Sequence, residues 1–200
     1  MKLIFASNNQ NKLQELRSAI GSKLEIVSLK QAGIYQDLPE PFPTLKENAR
    51  SKARFINHMT GGENCFSEDT GLEVEALGGE PGVHSARYAG EPPNPANNIR
   101  KLLRAMADST NRRARFTTII CLILHNKEYF FDGRCEGEIL RSPFGSGGFG
   151  YDPVFQPDGS EKCFAEMSGE EKNVFSHRRK AGDKLIAFLK TQTEFSNGEN

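Results

Sequence analysis

A short apolar run, Lys2 to Ala6, is followed at once by Ser7-Asn8-Asn9 and then by Leu13, Leu16 and Ile20 at helical spacing. Strand, polar turn and helix therefore follow one another within the first twenty residues, and the alternation continues along the chain. Thr44-Leu45-Lys46-Glu47 has the pattern of a capping box opening a helix through Ala49, Ala53 and Ile56 towards Met59, where Gly61-Gly62 stop it. Pro39, Pro41 and Pro43 keep the approach to that helix extended. Cys65 to Ser67 reads as a strand running into Glu68-Asp69-Thr70-Gly71, and Pro95 to Ala107 reads as an amphipathic helix beyond a loop rich in Gly and Pro.

The segments Phe116 to His125 and Glu128 to Leu140 are β-branched and aromatic runs joined at Asn126-Lys127, the pattern of an antiparallel hairpin. Ser168-Gly169-Glu170-Glu171 is a second capping box, after which Val174, Phe175, Leu185, Ile186 and Leu189 extend a helical pattern almost to the C-terminus. These elements give an α/β class with a mixed sheet. With 200 residues and no internal repeat, the chain fits one domain, residues 1–200, with a polar tail at 191–200 expected to fray.

Lys+Arg and Asp+Glu both number 26, so no global field draws the chain to nucleic acid or to an anionic membrane. A bound polyanion has to be held by local charge. The four cysteines lack the close pairs of a zinc ribbon or redox motif and read as buried free thiols in a reducing compartment, the cytoplasm. The apolar run from Leu3 to Ala6 is too short for a secretory h-region, so no leader is expected, and no run in the sequence is apolar enough for long enough to be expected to span a bilayer.

Four segments carry candidate chemistry. Ser7, Asn8, Asn9 and Lys12 stand where a strand hands over to a helix, and free backbone N–H groups with an ammonium one turn in make a phosphate cradle; an Asn-rich helix cap with a solvated lysine accounts for the same letters equally well. Glu68 and Asp69 are expected at a strand end, the usual place for ligands in open α/β sheets, with Glu40 a third carboxylate. Magnesium takes one or two such carboxylates, filling its shell with phosphate oxygens and water. A solvated acidic turn is the plainer account of an isolated Glu-Asp pair.

Gly145-Ser146-Gly147-Gly148-Phe149-Gly150 matches G-x-G-x-x-G, but Tyr151-Asp152-Pro153 opposes the helix that a dinucleotide fingerprint needs at once. The loop is better suited to bringing backbone close to a flat ring while Phe149 and Tyr151 offer aromatic faces. Lys172, His177, Arg178, Arg179 and Lys180 form a basic run on a helical region, which in most chains is a solvated face. A helix starting near His177 would be able to aim His177 and Arg178 at one ligand.

In order, Ser7-Asn8-Asn9-x-x-Lys12, Glu40 ahead of Thr44-x-x-Glu47-Asn48-Ala49, Ser67-Glu68-Asp69-Thr70-Gly71-Leu72, Pro81-Gly82-Val83-His84-Ser85-Ala86-Arg87, Phe149-Gly150-Tyr151-Asp152-Pro153-Val154-Phe155 and Ser176-His177-Arg178 resemble the Ham1-like inosine/xanthosine triphosphate pyrophosphatases over nearly the whole chain. The resemblance implies an elongated mixed β-sheet flanked by helices, two lobes with a central cleft, and a homodimer. It implies that Asp69 is the proton acceptor and a magnesium ligand with Glu40, and that Ser7, Asn8, Asn9 and Lys12 hold phosphate. Thr70, Phe149, Gly150, Tyr151, Asp152, Lys172, His177 and Arg178 carry over as substrate contacts. Glu68 stands where an aspartate is usual, and Glu40-Pro41-Phe42-Pro43-Thr44-Leu45 replaces a commoner Glu-Thr-Gly-x-Thr-Phe.

The implied substrate is a purine nucleoside triphosphate such as ITP, dITP or XTP, cut to the monophosphate and pyrophosphate. Donors aimed at C6 would favour a keto base, because an adenine amino group leaves them unpaired. A pyrophosphatase for modified pyrimidine triphosphates, as in the related Maf-like architecture, and a nucleotide-sensing or RNA-binding module are the alternatives. Asp69 and Glu40 speak against mere sensing, and the balanced charge speaks against RNA.

Overall fold

A computed structural model describes residues 1–21 and 24–196. The strands and helices run β1 (Lys2–Phe5), α1 (Gln10–Ile20), β2 (Glu25–Ser28), α2 (Leu45–Met59), β3 (Cys65–Val74), β4 (Pro81–Gly82), α3 (Pro95–Ala105), β5 (Arg113–Leu124), β6 (Lys127–Ile139), β7 (Phe155–Pro157), α4 (Gly169–Phe175) and α5 (His177–Ser196). Among the described residues the strands form one seven-stranded sheet in the order β2-β1-β3-β5-β6-β7, with β4 paired to β3. The sheet is mixed: β1 runs parallel to β2 and β3, whereas β3–β4 and β6–β7 are antiparallel. This is the α/β class expected.

The chain divides into two compact units, one of residues 1–69, 118–133 and 178 onwards, the other of residues 70–117 and 134–177. Strands β3, β5 and β6 each contribute residues to both.

In the first unit the pleat of β1 decides the layering. Successive side chains of a strand point to opposite faces, so Leu3 and Phe5 enter one core with Leu13, Leu16 and Ile20 of α1 and Ala181, Leu185 and Ile186 of α5. Ile4 and Ala6 enter another with Ala49, Ala53 and Ile56 of α2. Phe66 of β3 belongs to the first core and Cys65 to the second, which fixes the direction of every later residue on that strand. The second unit has its own core of Leu72, Val74, Ile99, Leu102, Phe116, Tyr151, Phe155 and Phe164.

Two local expectations are corrected. Glu68 and Asp69 lie within β3 rather than at its end, because the strand continues through Leu72 and Val74, whose side chains feed the second core and whose backbone pairs with β4. The hairpin between β5 and β6 turns at His125 and Asn126, both at positive φ (51° and 60°), one residue earlier than expected; the Asn64 side chain accepts the His125 N–H at 2.8 Å and fixes the corner. Strand β2 has no counterpart in the sequence reading. Helix α5 continues to Ser196, through the first six residues of the tail at 191–200, and the last four lie outside the described residues.

Candidate functional site

The residues expected to carry chemistry fall into two groups of side chains, one in each unit. In the first, the alternation of β3 sends Ser67 and Asp69 towards α2 and Phe66 and Glu68 towards α1 and α5. Neighbouring carboxylates therefore acquire different partners.

On the α2 side the Lys52 ammonium lies 2.5 Å from Glu40 Oε1 and 2.9 Å from Asp69 Oδ1. Lys52 occupies the buried stripe of α2 formed by Leu45, Asn48, Ala49, Lys52, Ala53 and Ile56. Asn48, one turn earlier, accepts the Phe42 N–H at 2.9 Å and donates to the Phe42 carbonyl at 3.0 Å, so the helix clamps the proline-rich approach two residues beyond Glu40. Thr44 caps the same helix by accepting the Glu47 N–H.

Burial lifts the Asp69 carboxyl to about 6; the Lys52 charge opposes that rise and the Glu40 charge adds to it. Burial also works against ionised Glu40, but Lys52 and, further off, Lys12 hold Glu40 below the usual carboxylate range. Lys52 is itself raised against its burial by Asp69 and Glu40. Glu40 is thus the settled anion and Asp69 the carboxylate poised to take a proton.

On the opposite face of β3, Lys12 lies 2.9 Å from Glu68 Oε1, and Arg178 Nε donates to Glu68 Oε2 at 2.8 Å. Arg178 also pairs with Glu15. Burial would raise the Glu68 carboxyl, but Arg178 and Lys12 override it and leave Glu68 strongly acidic. Asn9 is the N-cap of α1, its side chain accepting the Lys12 N–H at 3.2 Å, while Ser7 Oγ accepts the Asn9 N–H and Asn8 donates to the Gln36 carbonyl. Asn9 therefore does cap a helix, and the same turn carries the exposed amides and the partly exposed Lys12.

In the second unit the glycine-rich loop leads into a 3₁₀ turn at Asp152–Val154, not an α-helix, in keeping with the rejection of a dinucleotide fingerprint. Gly148 has φ 70°, and a Cβ there would fall 2.1 Å from Asp152 Oδ2. Its absence lets that oxygen accept the Phe149 N–H at 2.8 Å and the Lys172 ammonium at 2.6 Å. The Lys172 ammonium stands 5.2 Å from the Phe149 ring centre and 5.1 Å from that of Phe164. Tyr151 is a core residue whose hydroxyl donates to the Ser85 carbonyl at 2.9 Å, so of the two loop aromatics only Phe149 keeps a partly exposed ring. Helix α5 starts at His177 after α4 has ended at Phe175, so the helical pattern expected to run on from the Ser168 capping box is broken in two; His177 is buried and stacks on Phe116 at 4.7 Å and 15° within the second unit, whereas the Arg178 guanidinium belongs to the Glu68 network of the first.

Lys52 is the residue the sequence reading missed. The signal was present: a lysine in phase with Leu45, Ala49 and Ile56 on an otherwise apolar helical stripe needs a buried counter-charge. Among the described residues there is no group of three or more His, Cys, Asp or Glu able to hold a metal ion.

The profile of the Ham1 family matches residues 3–188 of the chain. The chain is 48% identical to the dITP/XTP pyrophosphatase of Flavobacterium psychrophilum over 190 residues, 95% of this chain and 100% of that protein. It is 52% identical to the dITP/XTP pyrophosphatase of Porphyromonas gingivalis over 189 residues, covering 94% of this chain and 97% of that protein. The solved structure of the Staphylococcus aureus Ham1 protein superposes with a TM-score of 0.86 at 36% identity, covering 96% of this chain and 100% of that one.

Proposed function

The chain belongs to the Ham1 family, and we propose that it hydrolyses ITP, dITP and XTP to the nucleoside monophosphate and pyrophosphate, removing non-standard purines from the nucleotide pool. The observation that carries this reading is Asp69: a buried carboxylate held near neutrality, paired through Lys52 with Glu40 and within electrostatic reach of Lys12 at the start of α1.

In this reading Ser7, Asn8, Asn9 and Lys12 hold phosphate oxygens, supported by the exposed Asn8 and Asn9 amides, the partly exposed Lys12 and their place at the N-terminus of α1. Asp69 accepts the proton of the attacking water, and Lys52 keeps Asp69 and Glu40 close together by offsetting their repulsion. Pyrophosphate leaves as one unit. Thr70, which follows Asp69 on β3, lies beside the reacting phosphate.

Nucleoside-triphosphate pyrophosphatases generally use a divalent metal, and we assign magnesium to Glu40 and Asp69. Two carboxylates that both reach one ammonium suit an ion that completes its shell with water and phosphate, and do not suit a zinc site of three or four protein ligands. When bound, the ion would neutralise the triphosphate and favour a water-derived nucleophile.

The base is assigned to Phe149 and Gly150, with Tyr151 and His177 as supporting residues and Asp152 orienting Lys172. An ammonium donates and cannot accept, so Lys172 beside the Phe149 ring favours a C6 oxygen over an amino group. Arg178 is assigned to the phosphate end, because its guanidinium is engaged with Glu68 and Glu15 rather than held beside Phe149.

We further assign the chain to the cytoplasm as a homodimer; a light-scattering mass of one chain, about 22.2 kDa, would overturn the latter. No helix among the described residues is long and apolar enough to cross a membrane. The deciding experiment is a panel of ITP, dITP, XTP, the four standard triphosphates and a modified pyrimidine triphosphate, assayed with magnesium and with chelator. Turnover of ITP to IMP and pyrophosphate only with metal supports the reading; turnover of the modified pyrimidine alone, or release of orthophosphate and IDP, overturns it.

A further inference from the structure

We propose that Glu68 is a positioning residue that fixes the Lys12 ammonium for phosphate, with Arg178 as the clamp that fixes Glu68. The inference rests on the reading that Lys12 binds phosphate. Four charges alternate through the first unit: Lys12, Glu68, Arg178 and Glu15. Glu68 is fully buried on β3 and both its oxygens are engaged, Oε1 by Lys12 at 2.9 Å and by Arg178 Nη2 at 3.3 Å, Oε2 by Arg178 Nε at 2.8 Å.

Arginine grips a carboxylate through two donors in a rigid fork, whereas a lysine is a point charge on a flexible stem. Arg178, itself 2% exposed at the start of α5, therefore sets where Glu68 lies, and Glu68 restricts where the Lys12 ammonium goes. The Lys12 side chain remains 16% exposed, so donors are left for a ligand. The alternation of β3 separates this network from Asp69, which faces Lys52 on the other side of the strand. Glu68 thus organises the phosphate lysine instead of joining Glu40 and Asp69 around a metal.

The test measures kcat and KM for ITP, and inhibition by inorganic pyrophosphate, in Lys12→Ala, Glu68→Gln, Glu68→Asp and Glu15→Gln, each with its Tm. Glu68→Gln is expected to raise KM and the pyrophosphate inhibition constant about tenfold, the scale of a charged hydrogen bond, with a smaller change in kcat. Should the buried Arg178 prevent Glu68→Gln from folding, Glu68→Asp keeps the charge but draws it back by one methylene, and is expected to shift both constants in the same direction. Glu15→Gln removes an ion pair from Arg178 without touching Lys12; it is expected to lower Tm while moving both constants less than about threefold. If the Glu68 variants lower kcat with KM and pyrophosphate inhibition unchanged, or if Glu15→Gln matches Glu68→Gln at equal loss of Tm, the proposal is overturned. If Lys12→Ala leaves pyrophosphate inhibition unchanged, the phosphate role of Lys12 fails and the proposal with it. If Lys12→Ala weakens inhibition and the Glu68 variants do not, only the positioning role fails.

Discussion

The Lys52 ammonium lies 2.9 Å from the Asp69 carboxylate while also holding Glu40 at 2.5 Å, so one buried cation balances two anions. Without it, two carboxylates would share a buried site, where like charges disfavour full ionisation. Lysine makes this bridge because its three donors are not tied to a plane. Its burial is tolerated because both partners reach it.

Replacing Lys52 with Met removes the main influence that keeps Asp69 ionised. Asp69 already sits above the ordinary aspartate value, lifted by burial and then by Glu40 against Lys52. In the proposed mechanism the active form is the anion, so activity is expected to fall as pH drops through the Asp69 pKa, and a higher pKa moves that loss upwards. The acid limb of kcat/KM for ITP, which reports the free enzyme, is expected to shift to higher pH by about 1 unit or more. An unmoved limb in a folded Lys52→Met would mean that Asp69 is not the titrating base.

Asp69→Asn keeps the shape of the side chain and loses the proton acceptor. Turnover of ITP should drop by roughly 10² to 10⁴, the usual span for a general base, with substrate binding retained. Steady-state kinetics with equilibrium binding of ITP to the variant checks both halves, and turnover within about tenfold of the parent would remove Asp69 from the chemistry.

Base choice should follow Lys172. Lys172→Met takes away the donor beside Phe149, at a cost to keto substrates of about 1.5 to 3 kcal/mol, and ATP never gained that bond. The ratio of kcat/KM for ITP over ATP should therefore narrow at least tenfold, whereas Arg178→Gln should slow both substrates alike. The reverse pattern would place base selection at Arg178 instead of Lys172.

Thiol chemistry tests the cores directly. Cys65 and Cys121 are both pushed up to about 12 chiefly by burial, and Cys135 and Cys163 are buried as well. At pH 8 a disulfide reagent should label none of the four in the folded protein and all four in denaturant. Fast labelling of Cys65 without denaturant would contradict the core formed by β1, α2 and β3.

The sequence by itself determined the order and type of nearly every long element, because capping residues, glycine stops and apolar spacing are local signals: Thr44 and Ser168 cap the helices they announce. It also supplied the ordered motifs from Ser7 to Arg178 that carry the family resemblance. Strand β2 escaped notice, since four residues in a parallel pair leave too brief a pattern to stand out. What only the tertiary structure decided is who faces whom. Glu68 and Asp69 are adjacent letters of the same chemistry, yet the pleat of β3 gives one to Lys12 and Arg178 and the other to Lys52 and Glu40. Neither the buried bridge made by Lys52 nor the grip on Glu68 of Arg178, expected as a substrate contact, is written locally, because the counter-charges come from residues distant in sequence. Tyr151 likewise turned into the core, its hydroxyl satisfied by the Ser85 carbonyl sixty-six residues away. Local periodicity specifies elements, but the pairing of buried charges depends on which faces the packed elements bring together.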